Sequence, residues 1–380
     1  MKTHSYFGAA KADENVLRAV MVAFAICLAA VPVSAAAQAC TVDRASGTVI
    51  DARPFLTNAM GPQWNAASNR IAYMAKNNEG YYRVYLVTPD GTGARDLTAG
   101  IRNLPVKHQG LPYWDSSGRY LLLVAEKPSW HGTQMFGNLD YGALPGFGMH
   151  DDLWVVAADG SRAWQLTNEP DGKYEGVLIP LFSPDGKRVA WSARQSDGKY
   201  TIKIADFLES PEPHLANIRN YEPGGRVYYE PGSFSVDSKW LLYTSDQDTH
   251  NFWFSQIYRL NLATGESTRL TQGKQYNEHP VAVATPAGEW VIYMSTLGVV
   301  RRRLHVMLGT EWYAMRLDGS GNKRLTWMNT LVRANPEYSP VPLIAVKATV
   351  SPTGEFFLGD IEDSLTRQSG FVKAVRFTCK

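Results

Sequence analysis

The feature that most constrains this chain is a motif that recurs six times. Its clearest copy reads Phe182-Ser183-Pro184-Asp185-Gly186-Lys187-Arg188-Val189-Ala190-Trp191. With Ser183 as the anchor, the equivalent residues are Asn65, Asp115, Ser235, Thr285 and Ser351. A large aromatic precedes the anchor at Trp64, Trp114, Phe182 and Phe234. A large side chain follows eight positions later at Tyr73, Leu123, Trp191, Tyr243 and Tyr293. The order of an aromatic-ended strand, a Pro/Asp/Gly turn and an apolar strand describes a β-hairpin. Each copy continues with a third strand and turn (VYLVTPDG, LWVVAADG, IYRLNLATG, WYAMRLDG). Four copies then end in Leu-Thr, at residues 97–98, 166–167, 270–271 and 325–326, and Leu215-Ala216 is a degenerate version.

Four antiparallel strands per unit, repeated at 50–68 residue spacing, specify a propeller blade. The expected fold is therefore all-β, a six-bladed propeller. The 32 glycines and 21 prolines suit such turns and argue against long helical bundles. The two ends predict how the ring closes. Arg53-Pro54-Phe55-Leu56-Thr57 is a fourth-strand motif with no blade before it, and the last copy stops without one. Residues 53–57 are thus expected to supply the outer strand of the last blade, which removes an open edge.

Residues 1–39 read as an export signal. Lys11 and Arg18 precede a twelve-residue apolar run, Ala19 to Ala30, and Ala37-Gln38-Ala39 is a cleavage pattern. Twelve residues are too few for a bilayer span, which takes about 20. The expectation is a signal peptide (1–39), a single propeller domain (40–380), no transmembrane segment in the mature chain, and a periplasmic or secreted protein. Cleavage makes Cys40 the first mature residue. Two readings of it stay open. It pairs with Cys379 in a disulfide, as an even cysteine count in an oxidising compartment suggests, or it carries a lipid anchor.

The FSPDGKRVAW, VYLVTPDG and Leu-Thr pattern resembles the TolB-type propeller repeat of exported bacterial proteins. That resemblance covers about residues 53–375 and implies a fold rather than an activity. The chain is expected to lack the α/β domain that TolB carries ahead of its propeller. No G-x-S-x-G motif occurs, which weighs against the hydrolase domain that related peptidases add. Oligogalacturonate lyases have similar repeats, and their likeness implies a divalent metal near the axis.

Strand order puts the fourth-to-first and second-to-third connections at one end of the ring. The long insertions, 127–152, 245–255 and 295–311, are all second-to-third loops and share that face. Loops on a rigid scaffold are the usual seat of function. The blade entrances bring Lys107, His108, Glu175, Glu230, Glu278 and His279 toward the channel mouth as a candidate ligand site. His108, His279 and Glu278 are the candidate metal ligands, since His and carboxylate suit Zn²⁺ or Mn²⁺. The rim loops add Trp130, His131, Tyr141, His150, His250, Trp253 and the basic run Arg301, Arg302 and Arg303. Lys+Arg and Asp+Glu number 38 and 36, so nothing drives the chain generally toward nucleic acid. The expected function is a non-catalytic, monomeric scaffold binding an envelope or extracellular protein, peptide or glycan on the loop-rich face. The alternative is a metal-assisted carbohydrate lyase or hydrolase at the channel mouth.

Overall fold

Short apolar runs punctuated by Asp/Gly turns produce short strands that pair with their sequence neighbours, and inner strands such as Gly176–Phe182 and Tyr229–Phe234 are buried along their whole length. In the computed structural model, residues 40–42, 56–131, 143–285, 288–299, 309–335, 337–352, 356–364 and 369–379 are described. They form six antiparallel sheets in a ring, and Cys40–Cys379 make one compact unit. Blades 1 to 5 are each a continuous run of four strands, within residues 59–96, 109–165, 176–221, 229–269 and 277–324. Blade 6 takes three strands from the C-terminal end, Leu343–Val350, Phe356–Asp363 and Ser369–Cys379. Each innermost strand packs on the innermost strand of the next blade, and Leu343–Val350 packs on Ala59–Asn65, which closes the ring.

The closing strand lies where the repeat count places it. Leu56–Thr57 pairs antiparallel with Ser369–Cys379, with Leu56 opposite Phe371. Residues 53–55 of the expected strand lie outside the described residues. A second segment, Cys40–Val42, pairs with the far end of the same strand and sets Cys40 opposite Cys379 in register. The signal peptide expected at 1–39 also lies outside the described residues. Among the described residues, no helix is long and apolar enough to cross a membrane.

The repeat residues do identifiable work. Ser183 Oγ accepts the Arg188 N–H at 2.9 Å and Ser235 Oγ accepts that of Trp240 at 2.9 Å, so the anchor side chain closes its own hairpin turn. The Leu-Thr pair stands just past the fourth strand and extends it with a side chain. Thr167, Thr271 and Thr326 use Oγ1 to accept the N–H of Leu153, Ile257 and Trp312 at 2.9–3.0 Å. The same hydroxyls donate to the residue just before, Asp152, Gln256 and Glu311. Six apolar clusters fill the six junctions between blades, one each. Trp191, Tyr243 and Tyr293, from the conserved-size position of the repeat, are at most 1% exposed. Burial of such rings contributes about 25 cal/mol for each Å² removed from water.

Candidate functional site at the channel mouth

Every innermost strand carries a β-bulge at the same level, visible as a register shift against the second strand. In blades 1, 2, 3 and 5 the bulge reads X-Pro: Gly61-Pro62, Leu111-Pro112, Ile179-Pro180 and His279-Pro280. The X residue has positive φ in each, 62°, 54°, 45° and 55°. A bulged residue leaves the ladder, so a proline without an N–H costs nothing there. The consequence is that His279, which simple alternation would not place, is re-aimed at the axis.

There it meets two carboxylates. His279 Nδ1 stands 2.7 Å from Glu230 Oε1, on blade 4, and its Nε2 stands 3.5 Å from Glu278 Oε2. One ligand atom from each of the three residues lies within 4.8 Å of the others. Glu230 and Glu278 occupy equivalent strand positions, opposite Thr244 and Met294 respectively. The Tyr228 hydroxyl lies within hydrogen-bond reach of both, at 3.1 Å from Glu278 Oε1. Tyr276 donates to Glu278.

The charges follow from this packing. Burial, and then repulsion from Glu230, push Glu278 up to about 7. Burial works against a charged ring at His279, but Glu278 and Glu230 overcome it and raise the imidazole to about 9. Burial also opposes the Glu230 carboxylate, yet the neighbouring imidazolium outweighs it and holds Glu230 below its usual range. The arrangement is an imidazolium bridging two carboxylates, with tyrosine hydroxyls completing their hydrogen bonds.

An aromatic surface adjoins this centre. Phe252–Phe254 form a 3₁₀ turn capped by Asn251, whose Oδ1 accepts the Trp253 N–H at 3.0 Å. Phe252 packs on Tyr228 at 5.0 Å and on Tyr276 at 5.3 Å between ring centroids, and Trp253 lies 5.9 Å from Tyr276. Trp253 is 59% exposed and Phe252 39%. The exposed rings thus rest directly on the tyrosines that hold the glutamates.

The other sequence candidates point elsewhere. His108 is buried between blades 1 and 2, where its Nδ1 accepts the Tyr82 N–H at 3.1 Å and its ring meets Tyr81 edge-on. Lys107 pairs with Glu126 at 2.8 Å. Glu175 bonds back to the Tyr174 N–H at 3.0 Å. His150 is buried with positive φ and stacks on Trp130 at 3.4 Å. His131 and His250 are exposed on the same face. Tyr141, Arg301, Arg302 and Arg303 lie outside the described residues. Of the three metal candidates, His279 and Glu278 come together, and Glu230 takes the place expected of His108.

The tyrosines were not anticipated. A signal for them exists, because Tyr228-Tyr229-Glu230 and Tyr276-Asn277-Glu278 repeat one Tyr-x-Glu pattern at consecutive blade entrances.

No family model matches the chain. Over 96 residues it is 32% identical to Tricorn protease homolog 1 of Streptomyces coelicolor, covering 23% of this chain and 8% of that protein. Over 210 residues it is 26% identical to Dipeptidyl-peptidase 5 of Porphyromonas endodontalis, covering 49% of this chain and 29% of that protein. The matches thus span less than a third of either relative. Among solved structures, a putative TolB from Agrobacterium tumefaciens superposes with a TM-score of 0.50 at 15% identity, over 85% of this chain and 91% of that one. A sialidase, Hadza microbial sialidase Hz136, superposes with a TM-score of 0.54 at 12% identity, over 84% and 66%. These likenesses are of fold, and the fold is a TolB-like six-bladed propeller.

Proposed function

We propose that this chain is an exported propeller scaffold that binds a protein, peptide or glycan partner on its loop-bearing face without catalysing a reaction on it. The observation that supports this reading is the continuity of the exposed Trp253 and Phe252 rings with the Tyr228–Glu230–Glu278–His279 centre. Exposed aromatics beside a preorganised polar group combine the two elements of a binding hot spot. The TolB-like fold agrees with such a role, and the partner's identity is for experiment. The test compares wild type with Trp253→Ala and with Lys187→Ala, an exposed residue at the opposite end of the ring. Binding to envelope proteins and to a glycan panel is measured for each. A ligand held by wild type and Lys187→Ala but lost by Trp253→Ala supports the reading. Equal retention by all three sinks it.

A second reading follows from the ligand geometry. Glu230, Glu278 and His279 present atoms within 4.8 Å of one another, a donor set that suits Zn²⁺ or Mn²⁺. Each His279 nitrogen faces a different carboxylate, so an ion would engage one nitrogen and displace the proton that now bridges. Such an ion would polarise a sugar carboxylate or carbonyl in a metal-assisted lyase or hydrolase. Elemental analysis of the purified protein decides: a stoichiometric divalent metal lost on Glu278→Gln favours this reading, and none excludes it.

A further inference from the structure

At the bulge level of the axis, the second bulge position is proline in four blades, Pro62, Pro112, Pro180 and Pro280, and Gly232 in blade 4. Blade 6 places Lys347 there. A ring position held five times by residues without a functional side chain carries a cation once. Lys347 lines a cavity of about 310 Å³ at the turn end of the axis, bordered by residues of all six blades. Its ammonium stands 5.2 Å from the centroid of the Tyr113 ring. Among the described residues it forms no salt bridge. Tyr113 and Gln63 line the same cavity, and among the described residues neither the Tyr113 hydroxyl nor the Gln63 amide has a hydrogen-bond partner. Burial pushes the Tyr113 phenol up to about 12, which keeps it a donor. Burial lowers Lys347 to about 8, with Glu230 opposing the fall.

We propose that this turn-end cavity is a second binding site, which takes a small organic carboxylate on the Lys347 ammonium with Tyr113 and Gln63 as flanking hydrogen-bond donors. The chemistry selects a monoanion. One ammonium with two neutral donors matches one carboxylate, whereas a dianion would meet Asp115 on the cavity wall with its second charge uncompensated. A volume of about 310 Å³ falls in the range of small-molecule sites. The carboxylate can belong to a sugar acid or to a peptide C-terminus. The cavity opens at the turn end of the axis, not on the loop-bearing face. Lys347 feels the Glu230 charge, but the proposal does not depend on the function proposed at the mouth.

The test titrates the full chain with glucuronate, N-acetylglycylglycine, glucose and sulfate, read by calorimetry and by the fluorescence of Trp64 and Trp114, which border the cavity. The expected result is saturable binding of at least one carboxylate and none of glucose. Response to glucuronate alone identifies a sugar acid, and response to the peptide alone identifies a chain terminus. Lys347→Met should weaken binding about tenfold or more, as loss of a charge-assisted hydrogen bond predicts. Trp253→Ala should leave it unchanged. Saturation by neither carboxylate, unchanged affinity in Lys347→Met, or sulfate binding as tightly as both carboxylates overturns the proposal. If Lys347→Met does not fold, Tyr113→Phe and Gln63→Ala carry the test, and unchanged affinity in both overturns it.

Discussion

His279 Nδ1 lies 2.7 Å from Glu230 Oε1, across the junction between blades 5 and 4. The contact depends on a bulge that turns His279 to positive φ and on two glutamates at equivalent strand positions. Removing the ring would leave two buried carboxylates facing each other with no cation between them. His279→Ala should therefore cost about 3 kcal/mol of folding stability, read by urea unfolding. Glu230→Gln added to it should recover part of that loss, because the repulsion then disappears. A loss below about 1 kcal/mol would place the pair among surface ion pairs and contradict this account of the centre.

The same junction depends on a missing side chain. A Cβ added at Gly232 would lie 2.3 Å from the Pro280 carbonyl oxygen. Neither backbone can yield without moving a blade. Gly232→Ala should lower the melting temperature, at a cost of about 1–3 kcal/mol for overpacking. An unchanged melting curve would show that blades 4 and 5 slide freely.

Asp360 gives stability a pH dependence. Its Oδ2 accepts the Gly61 N–H at 2.9 Å across the ring's closing seam, while its Oδ1 is buried without a hydrogen bond. Burial, with Glu362 adding to it and His279 opposing, raises this carboxyl to about 8. The folded state therefore holds a proton that the unfolded chain releases near the ordinary carboxylate range. This contribution is fully present at low pH and is lost as pH rises through about 8. Asp360→Asn can keep the bond to Gly61 and cannot ionise. It should gain stability relative to wild type as pH rises from 5 to 9, measured by melting temperature at each pH. A constant difference across that range would show that Asp360 does not titrate in the folded state.

Cys40 and Cys379 are register partners on adjacent antiparallel strands. Directly opposed residues have Cα atoms about 4.5–5.5 Å apart, within the range a disulfide spans. Protein from an oxidising compartment should show neither thiol to maleimide until it is reduced, and reduction should lower its melting temperature. Two reactive thiols before reduction would reject the bond, and a lipid-sized mass on Cys40 would select the other reading of that residue.

The fold was legible because its signals are local and repeated. The anchor turn, the Leu-Thr cap and the aromatic before each turn are all set by residues within one hairpin. The offset between six anchors and six fourth strands even located Leu56–Thr57 in the last blade. The site was only half legible. Glu230, Glu278 and His279 were expected at the blade entrances, but so were Lys107, His108 and Glu175. Lys107 and Glu175 turn into their own blades and His108 turns to Tyr82 of blade 1. What separates the two groups is where each innermost strand begins: Glu230, Glu278 and His279 lie within Tyr229–Phe234 and Asn277–Thr285, whereas Lys107, His108 and Glu175 precede Gln109–Trp114 and Gly176–Phe182. No hydrophobic period reports that boundary, or the bulge that turns His279. Lys347 and Asp360 were hidden for a related reason. Lys347 sits on an otherwise apolar strand and Asp360 on one with two further acidic residues, and only ring closure brings Asp360 to Gly61 and Lys347 to Tyr113.

The central claim is that the loop-bearing mouth is where a partner binds, and Trp253 tests it most directly. The residue is 59% exposed, so its loss should leave folding within about 0.5 kcal/mol of wild type. The measurement is the affinity of Trp253→Ala for a partner that wild type and Lys187→Ala both retain. The account predicts a loss of about tenfold or more, as for an aromatic hot spot, with an unchanged melting curve. Wild-type affinity in Trp253→Ala would contradict it.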